Sequence, residues 1–109
     1  MTQRTAKVES LIRQTVAGQV RELMEVAAAH VTVTAVDAAP DLRNATVWFG
    51  ITAGNEDKVF AELLELRATI QRHLAKVMTT KFVPKLTFQL DSGGAYAQRI
   101  EQLMKGLSK

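Results

Sequence analysis

The stretch Asn55–Asp91, NEDKVFAELLELRATIQRHLAKVMTTKFVPKLTFQLD, decides the fold, because it passes from helix to strand within one run. Asn55 has the side chain of a helix N-cap, and Glu56 and Asp57 follow in the first turn, where acids suit the positive helix end. Val59, Phe60, Leu63 and Leu64 make one apolar stripe, and Ile70, Leu74, Val77 and Met78 make a second. At about 100° per residue the two stripes are nearly in phase. An unbroken helix would therefore aim Arg67 into the buried face, where an unpaired charge is costly. Two escapes exist. Arg67 can extend along its own stem to a polar surface, or the helix can kink at Leu66–Thr69 and turn it outward. An unbroken helix would be about 35 Å long, more than a compact domain easily covers, so the kink is the expectation. After Pro84 the period changes to two. Leu86, Phe88 and Leu90 alternate with Lys85, Thr87 and Gln89 in a strand over Phe82–Leu90. Pro84 belongs at its start, since it has no N–H to give a ladder.

Upstream, Thr5–Ala29 reads as a long helix with its buried stripe at Val8, Ile12, Val16, Val20, Leu23 and Ala27. Gly18 inside it costs about 1 kcal/mol relative to Ala and predicts a packing reason. Lys7, Gln14 and Arg21 share the opposite face, for which simple solvation is sufficient. His30–Val36 is a β-branched strand, with Val31, Val33 and Ala35 on one side and Thr32, Thr34 and Val36 on the other. Asp37–Asp41 contains Pro40 and reads as a turn. Asn44–Thr52 alternates again, with Ala45, Val47, Phe49 and Ile51 on one side and Thr46, Trp48 and Gly50 on the other. The two strands predict an antiparallel pair. Trp48 then lies on the face away from the helices, either packed as a structural residue or free to dock a partner. Ser92-Gly93-Gly94 breaks the chain before a last amphipathic helix carrying Tyr96, Ile100, Leu103, Met104 and Leu107.

The order is helix, strand, strand, helix, kink, helix, strand, helix: an α+β domain with helices on one face of a three-stranded sheet. The chain has 109 residues, 47% of them apolar, which suits one domain over residues 1–109. No apolar run reaches the ~20 residues of a membrane-spanning helix, and no signal-peptide pattern opens the chain. There is no cysteine, which suits a reducing cytoplasm. No residue set suggests a metal or cofactor: His30 and His73 are far apart in the chain, and no carboxylate stands at ligand spacing around them. No phosphate-cradling glycine loop or nucleophile motif occurs, and Glu62 and Glu65 lie on an exposed helix side. The residues assemble no catalytic site and imply no small-molecule substrate.

The net charge of +3 is mild, but its placement is not uniform. Arg67, Arg72, His73, Lys76, Lys81 and Lys85 fall in a window, Arg67–Lys85, with no Asp or Glu. Such a window suits phosphate binding by a helix N-terminus with Lys and Arg side chains, and equally suits a solvated basic face.

Two stretches carry a family resemblance. One is Val31–Val36 followed by Asp41–Val47. The other is Ile70–Leu74 with Met78, then Lys81-Phe-Val-Pro84-Lys-Leu86-Thr-Phe88-Gln-Leu-Asp91. With the N-terminal helix they resemble bacterial ribosome-binding factor A over nearly the whole chain, and the Pro-x-Leu-x-Phe-x-x-Asp element at Pro84–Asp91 is the specific part. The resemblance implies a type II KH-like fold and a non-catalytic cytoplasmic protein that binds the small (30S) ribosomal subunit. It also implies a role in late maturation of 16S rRNA and a link to growth in the cold. The family carries an interhelical Ala-x-Gly kink in place of the KH Gly-x-x-Gly loop. Here the corresponding residues are Leu66-Arg67-Ala68, with Ala68 in the glycine's place, and Gln71 stands where an Arg is common, beside Arg72. The expected RNA face is Arg67, Ala68, Arg72, Lys76, Lys81 and Lys85, with Lys7 and Arg21 as auxiliaries. A monomer is expected. The alternative is a protein-interaction module using the open sheet face around Trp48.

Overall fold

A computed structural model of the chain describes residues 3–24, 30–79 and 82–92. Helix α1 spans Gln3–Met24, strand β1 Val31–Ala38, strand β2 Asn44–Ile51, helix α2 Glu56–Val77 and strand β3 Lys85–Leu90. The strands and the first helix expected within these residues are present with shifted ends, and the two helices expected on either side of a kink are one. Ala27, Lys81 and the expected C-terminal helix around Tyr96–Leu107 lie outside the described residues.

The sheet order is β1-β2-β3. The β1–β2 pair is antiparallel, and its connection is tightened by the Leu42 N–H to the Ala39 carbonyl at 2.8 Å and the Arg43 N–H to Asp41 Oδ1 at 3.0 Å. Leu42 takes the left-handed region (φ 60), a strained conformation for a branched side chain, and is held there while packing against the core. β3 runs parallel to β2. A parallel neighbour needs a long crossover, and α2 is that crossover. Central β2 carries the deepest residues: Ala45, Val47 and Phe49 are buried, and Phe49 meets Phe88 of β3 edge to face, ring centroids 4.8 Å apart. Val8, Ile12, Val16 and Val20 of α1 and Leu63, Ile70 and Leu74 of α2 close the core over this face. Burying each such side chain contributes roughly 1.5–3 kcal/mol.

One expectation for the sheet changes, and one for α2. The first concerns parity in β1. The register shifts between Val33, opposite Phe49, and Ala35, opposite Trp48, so Thr34 is an extra residue in a β-bulge. From Ala35 onward the faces exchange. Val36 and Ala38 join the core, and Ala35 turns to the far face beside Trp48. The Thr34 hydroxyl donates to the Trp48 carbonyl at 3.3 Å. Gly50 makes room for it, since a Cβ there would stand 3.0 Å from the Thr34 methyl. Trp48 itself is only 7% exposed. The open sheet face around Trp48 is therefore not open at the indole, and the structural reading of that residue holds.

The second concerns the kink. α2 is one helix of 22 residues, with no break at Leu66–Thr69. Leu66-Arg67-Ala68 has no glycine, and Leu, Arg and Ala are among the strongest helix formers. Arg67 takes the other escape. It is half-buried, and its Nη1 donates to the Leu86 carbonyl at 3.3 Å. Length is no obstacle, because the molecule is a slab of 45 × 36 × 17 Å with room for a helix of about 33 Å along its face. α2 starts as expected: Gly54 (φ 86) turns the chain out of β2, and Asn55 Oδ1 accepts the Lys58 N–H at 3.1 Å.

Gly18 lacks the packing reason its position predicts. A methyl placed there would find its nearest neighbour in Arg21 Nη2 at 3.9 Å, an ordinary contact.

Candidate nucleic-acid interface

Side chains four apart on a helix stand one turn above each other. Ala68, Arg72 and Lys76 form such a row on the outer side of α2, and all three are exposed. Arg72 Nη2 donates to Thr69 Oγ1 at 3.2 Å, which braces the guanidinium against its own helix. His73 is exposed nearby. The acids Glu56, Asp57, Glu62 and Glu65 all lie in the first half of α2, while Arg67, Arg72 and Lys76 lie in the second, an order that also matches the helix dipole. Because α2 is continuous, no helix N-terminus lies among these bases in the described residues. The end of α2 that could favour an anion is at Glu56, where the first turn is acidic. The expected contribution of a helix N-terminus to phosphate binding is thereby removed.

The other expected residues are dispersed. Lys85 is exposed, but it alternates with buried Leu86 and so lies on the sheet face away from the helices. Lys81 lies outside the described residues. Lys7 and Arg21 are exposed on α1, Arg21 on the side next to β1. Arg67 leans inward, to the edge of β3.

That edge has its own chemistry. Lys85 donates its N–H to the Arg43 carbonyl at 2.9 Å, so the peptide groups of Leu86 point the other way, out of the sheet. Gln71 meets them. Its Nε2 donates to the Pro84 carbonyl at 2.9 Å, and its Oε1 accepts the Leu86 N–H at 2.8 Å. The side-chain amide thus stands in for the peptide of a further strand, and Arg67 takes the Leu86 carbonyl beside it. The opposite edge, β1, is met the same way from α1. Arg13 Nη1 donates to the Val33 carbonyl at 2.8 Å, and Glu9 Oε2 accepts the Ala38 N–H at 2.9 Å. Sequence patterning singled out neither Glu9 nor Arg13. Their spacing of one helical turn, on the side of α1 next to its apolar stripe, is the signal that could have found them.

Arg13 also lines a cavity of about 300 Å³ between α1 and β1, together with Ala17, Val20, Arg21, Val31, Thr32 and Val33. Among the described residues no group of His, Cys, Asp and Glu is arranged to hold a metal ion, and no helix is long and apolar enough to cross a membrane.

Residues 4–104 match the sequence profile of the family described as Ribosome-binding factor A. Ribosome-binding factor A of Rhodospirillum rubrum is 40% identical over 109 aligned residues, which cover 94% of this chain and 66% of that protein, so the chain spans about two thirds of its length. The crystal structure of ribosome-binding factor A from Thermus thermophilus superposes with a TM-score of 0.69 at 20% identity, over 79% of this chain and 93% of that one. A homology model of the Thermus thermophilus factor, fitted into a cryo-EM map of a complex with the 30S subunit, gives 0.62 at 19% identity, over 79% and 94% of the two chains. The fold is thus KH-like, and with its α1-β1-β2-α2-β3 order and this sequence match the chain belongs to the ribosome-binding factor A family.

Proposed function

We propose that this protein binds the small ribosomal subunit during its assembly and assists late maturation of 16S rRNA, with no chemical step of its own. The observation that carries the proposal is the exposed, acid-free row Ala68–Arg72–Lys76 on a chain whose structural relative was fitted into a 30S complex. In this reading Arg72 and Lys76 grip phosphates, and Ala68, the smallest of the three, lets the RNA backbone come close to the helix. Lys81 and Lys85 add charge at the β3 end, and Lys7 and Arg21 add it from α1. Arg67 keeps its full charge but holds it inward, with one of its N–H groups engaged by the Leu86 carbonyl. Contacts of this kind fix position and orientation on folded RNA and read shape rather than base sequence. The protein acts in the cytoplasm as a monomer, and its absence slows growth in the cold.

The test is sedimentation of tagged protein with ribosomal particles from cells. Enrichment with free small subunits, and not with whole ribosomes, is the expected pattern. The double variant Arg72→Glu, Lys76→Glu should lower affinity for the subunit by at least tenfold, a change of about 1.4 kcal/mol, while the melting temperature stays within a few degrees. Each lost phosphate contact should also flatten the salt dependence of binding by about one unit of slope. Undiminished affinity in the double variant would remove this face from the interface.

A further inference from the structure

We infer that the cavity between α1 and the outer edge of β1 is a separate site for one unpaired nucleotide, with Arg13 and Arg21 taking its phosphate and the aliphatic floor taking its base. This rests on the RNA-binding reading above and shares the auxiliary Arg21 with it, but the cavity is apart from the α2 row. The row at Arg72 and Lys76 lies on α2, whose inner flank caps the β3 edge. The cavity lies against β1, the strand at the other edge of the sheet.

Four observations favour a nucleotide. First, the lining holds two guanidinium groups and no carboxylate, so the site is complementary to an anion. Second, Arg13 is already oriented: its Nη1 is held by the Val33 carbonyl at 2.8 Å, and it lines the cavity with further N–H donors beyond the one so engaged. A side chain fixed before binding loses less conformational entropy when the ligand arrives. Third, Ala17, Val20, Val31 and Val33 supply an apolar surface, and at about 300 Å³ the space is at the small end for ligand sites, suited to a single base rather than a larger molecule. Guanidinium planes can also stack on a base, which the aliphatic floor cannot do as an aromatic ring would. Fourth, the main rival occupant is disfavoured. An acidic peptide adding as a strand to β1 would need the outward Val33 carbonyl and the outward Ala38 N–H, and Arg13 and Glu9 already hold both.

The experiment is an amide chemical-shift titration of the full chain with a six-nucleotide single-stranded oligoribonucleotide and, in parallel, with an RNA duplex. The single strand should shift Ala17, Val20 and Val31–Val33, and the duplex should not. Arg21→Glu should weaken single-strand binding about tenfold, the effect expected from turning a charge-assisted hydrogen bond into a repulsion. Ala17→Leu, which fills the floor and changes no charge, should weaken it comparably, with an unchanged melting temperature as the check on folding. Arg21→Gln should fall between the wild type and Arg21→Glu, and it is the control should Ala17→Leu fold poorly. The double variant Arg72→Glu, Lys76→Glu should leave these shifts in place. Shifts confined to α2, or single-strand binding indifferent to Arg21→Glu and Arg21→Gln, would overturn the nucleotide site while leaving subunit binding through α2 intact. Displacement of the oligonucleotide by a glutamate-rich peptide that pairs with β1 would overturn it in favour of a protein partner. Loss of subunit sedimentation in the α2 variant with the cavity shifts preserved would confirm two separate sites.

Discussion

The two edges of the sheet face the same problem and solve it to different degrees. Each edge strand turns half of its peptide groups away from the sheet, and such groups invite pairing with another chain. At β3, Arg67 and Gln71 satisfy three neighbouring groups: the Pro84 carbonyl, the Leu86 N–H and the Leu86 carbonyl. At β1, Glu9 and Arg13 satisfy two groups on opposite sides of the bulge, the Ala38 N–H and the Val33 carbonyl. In both cases the two side chains stand one turn apart on the helix beside the strand. The difference is what is left over. The β3 edge is sealed along the residues that α2 reaches. The β1 edge keeps a cavity with two arginines in its lining. Side chains that close the start of one edge serve stability, and those that close the other in part also leave a place for a ligand.

The comparison can be broken in order of expected effect. Gln71→Ala removes two hydrogen bonds at once and leaves the Pro84 carbonyl and the Leu86 N–H, both on buried residues, without that partner, so unfolding in urea should show a loss of about 2–3 kcal/mol. Arg67→Met keeps the stem and loses only the bond to Leu86, and about 1–2 kcal/mol is expected from the same measurement. If the β1 edge is the less sealed of the two, Arg13→Met should cost less than Gln71→Ala, about 1 kcal/mol. A larger loss would mean the two edges are equally structural. Gly18→Ala should raise stability by about 0.5–1 kcal/mol, since helix propensity improves and the methyl meets nothing closer than 3.9 Å. Glu9→Gln, which keeps an acceptor for the Ala38 N–H, should change stability by less than about 0.5 kcal/mol.

Most of the element order was legible in the sequence because each element carries one clear period. The Asn55 cap, the α2 stripe at Leu63, Ile70 and Leu74, and the strand at Leu86 and Phe88 all follow from patterning alone. Two features were not legible. A bulge has no composition of its own in this stretch: Val31–Ala38 alternates well enough in either parity, and only pairing with β2 selects Thr34 as the extra residue. The kink failed for a related reason. The phase of Arg67 correctly marked it as a charge on a buried stripe, but the strand edge that receives it is formed by Leu86, distant in sequence. Local pattern shows the cost and not the partner. Gln71 shows the same limit. In sequence it carries no sign of a partner; in space its amide meets the Pro84 carbonyl and the Leu86 N–H. Of the candidate RNA-binding residues, Arg72 and Lys76 fell together because helical spacing alone puts them together. Lys85 could not be joined to them, because strand alternation sends it through to the other side.

The bulge at Thr34 also bears on how this strand tolerates changes in length. Val33 and Ala35 already sit opposite Phe49 and Trp48, which are adjacent residues of β2. A chain lacking Thr34 would therefore zip into a regular ladder with every later partner kept, whereas loss of Asp37 would turn Ala38 out of the interior. The first strand thus holds a single position that can be gained or lost without rewriting the rest, and length differences among relatives in this strand should gather there.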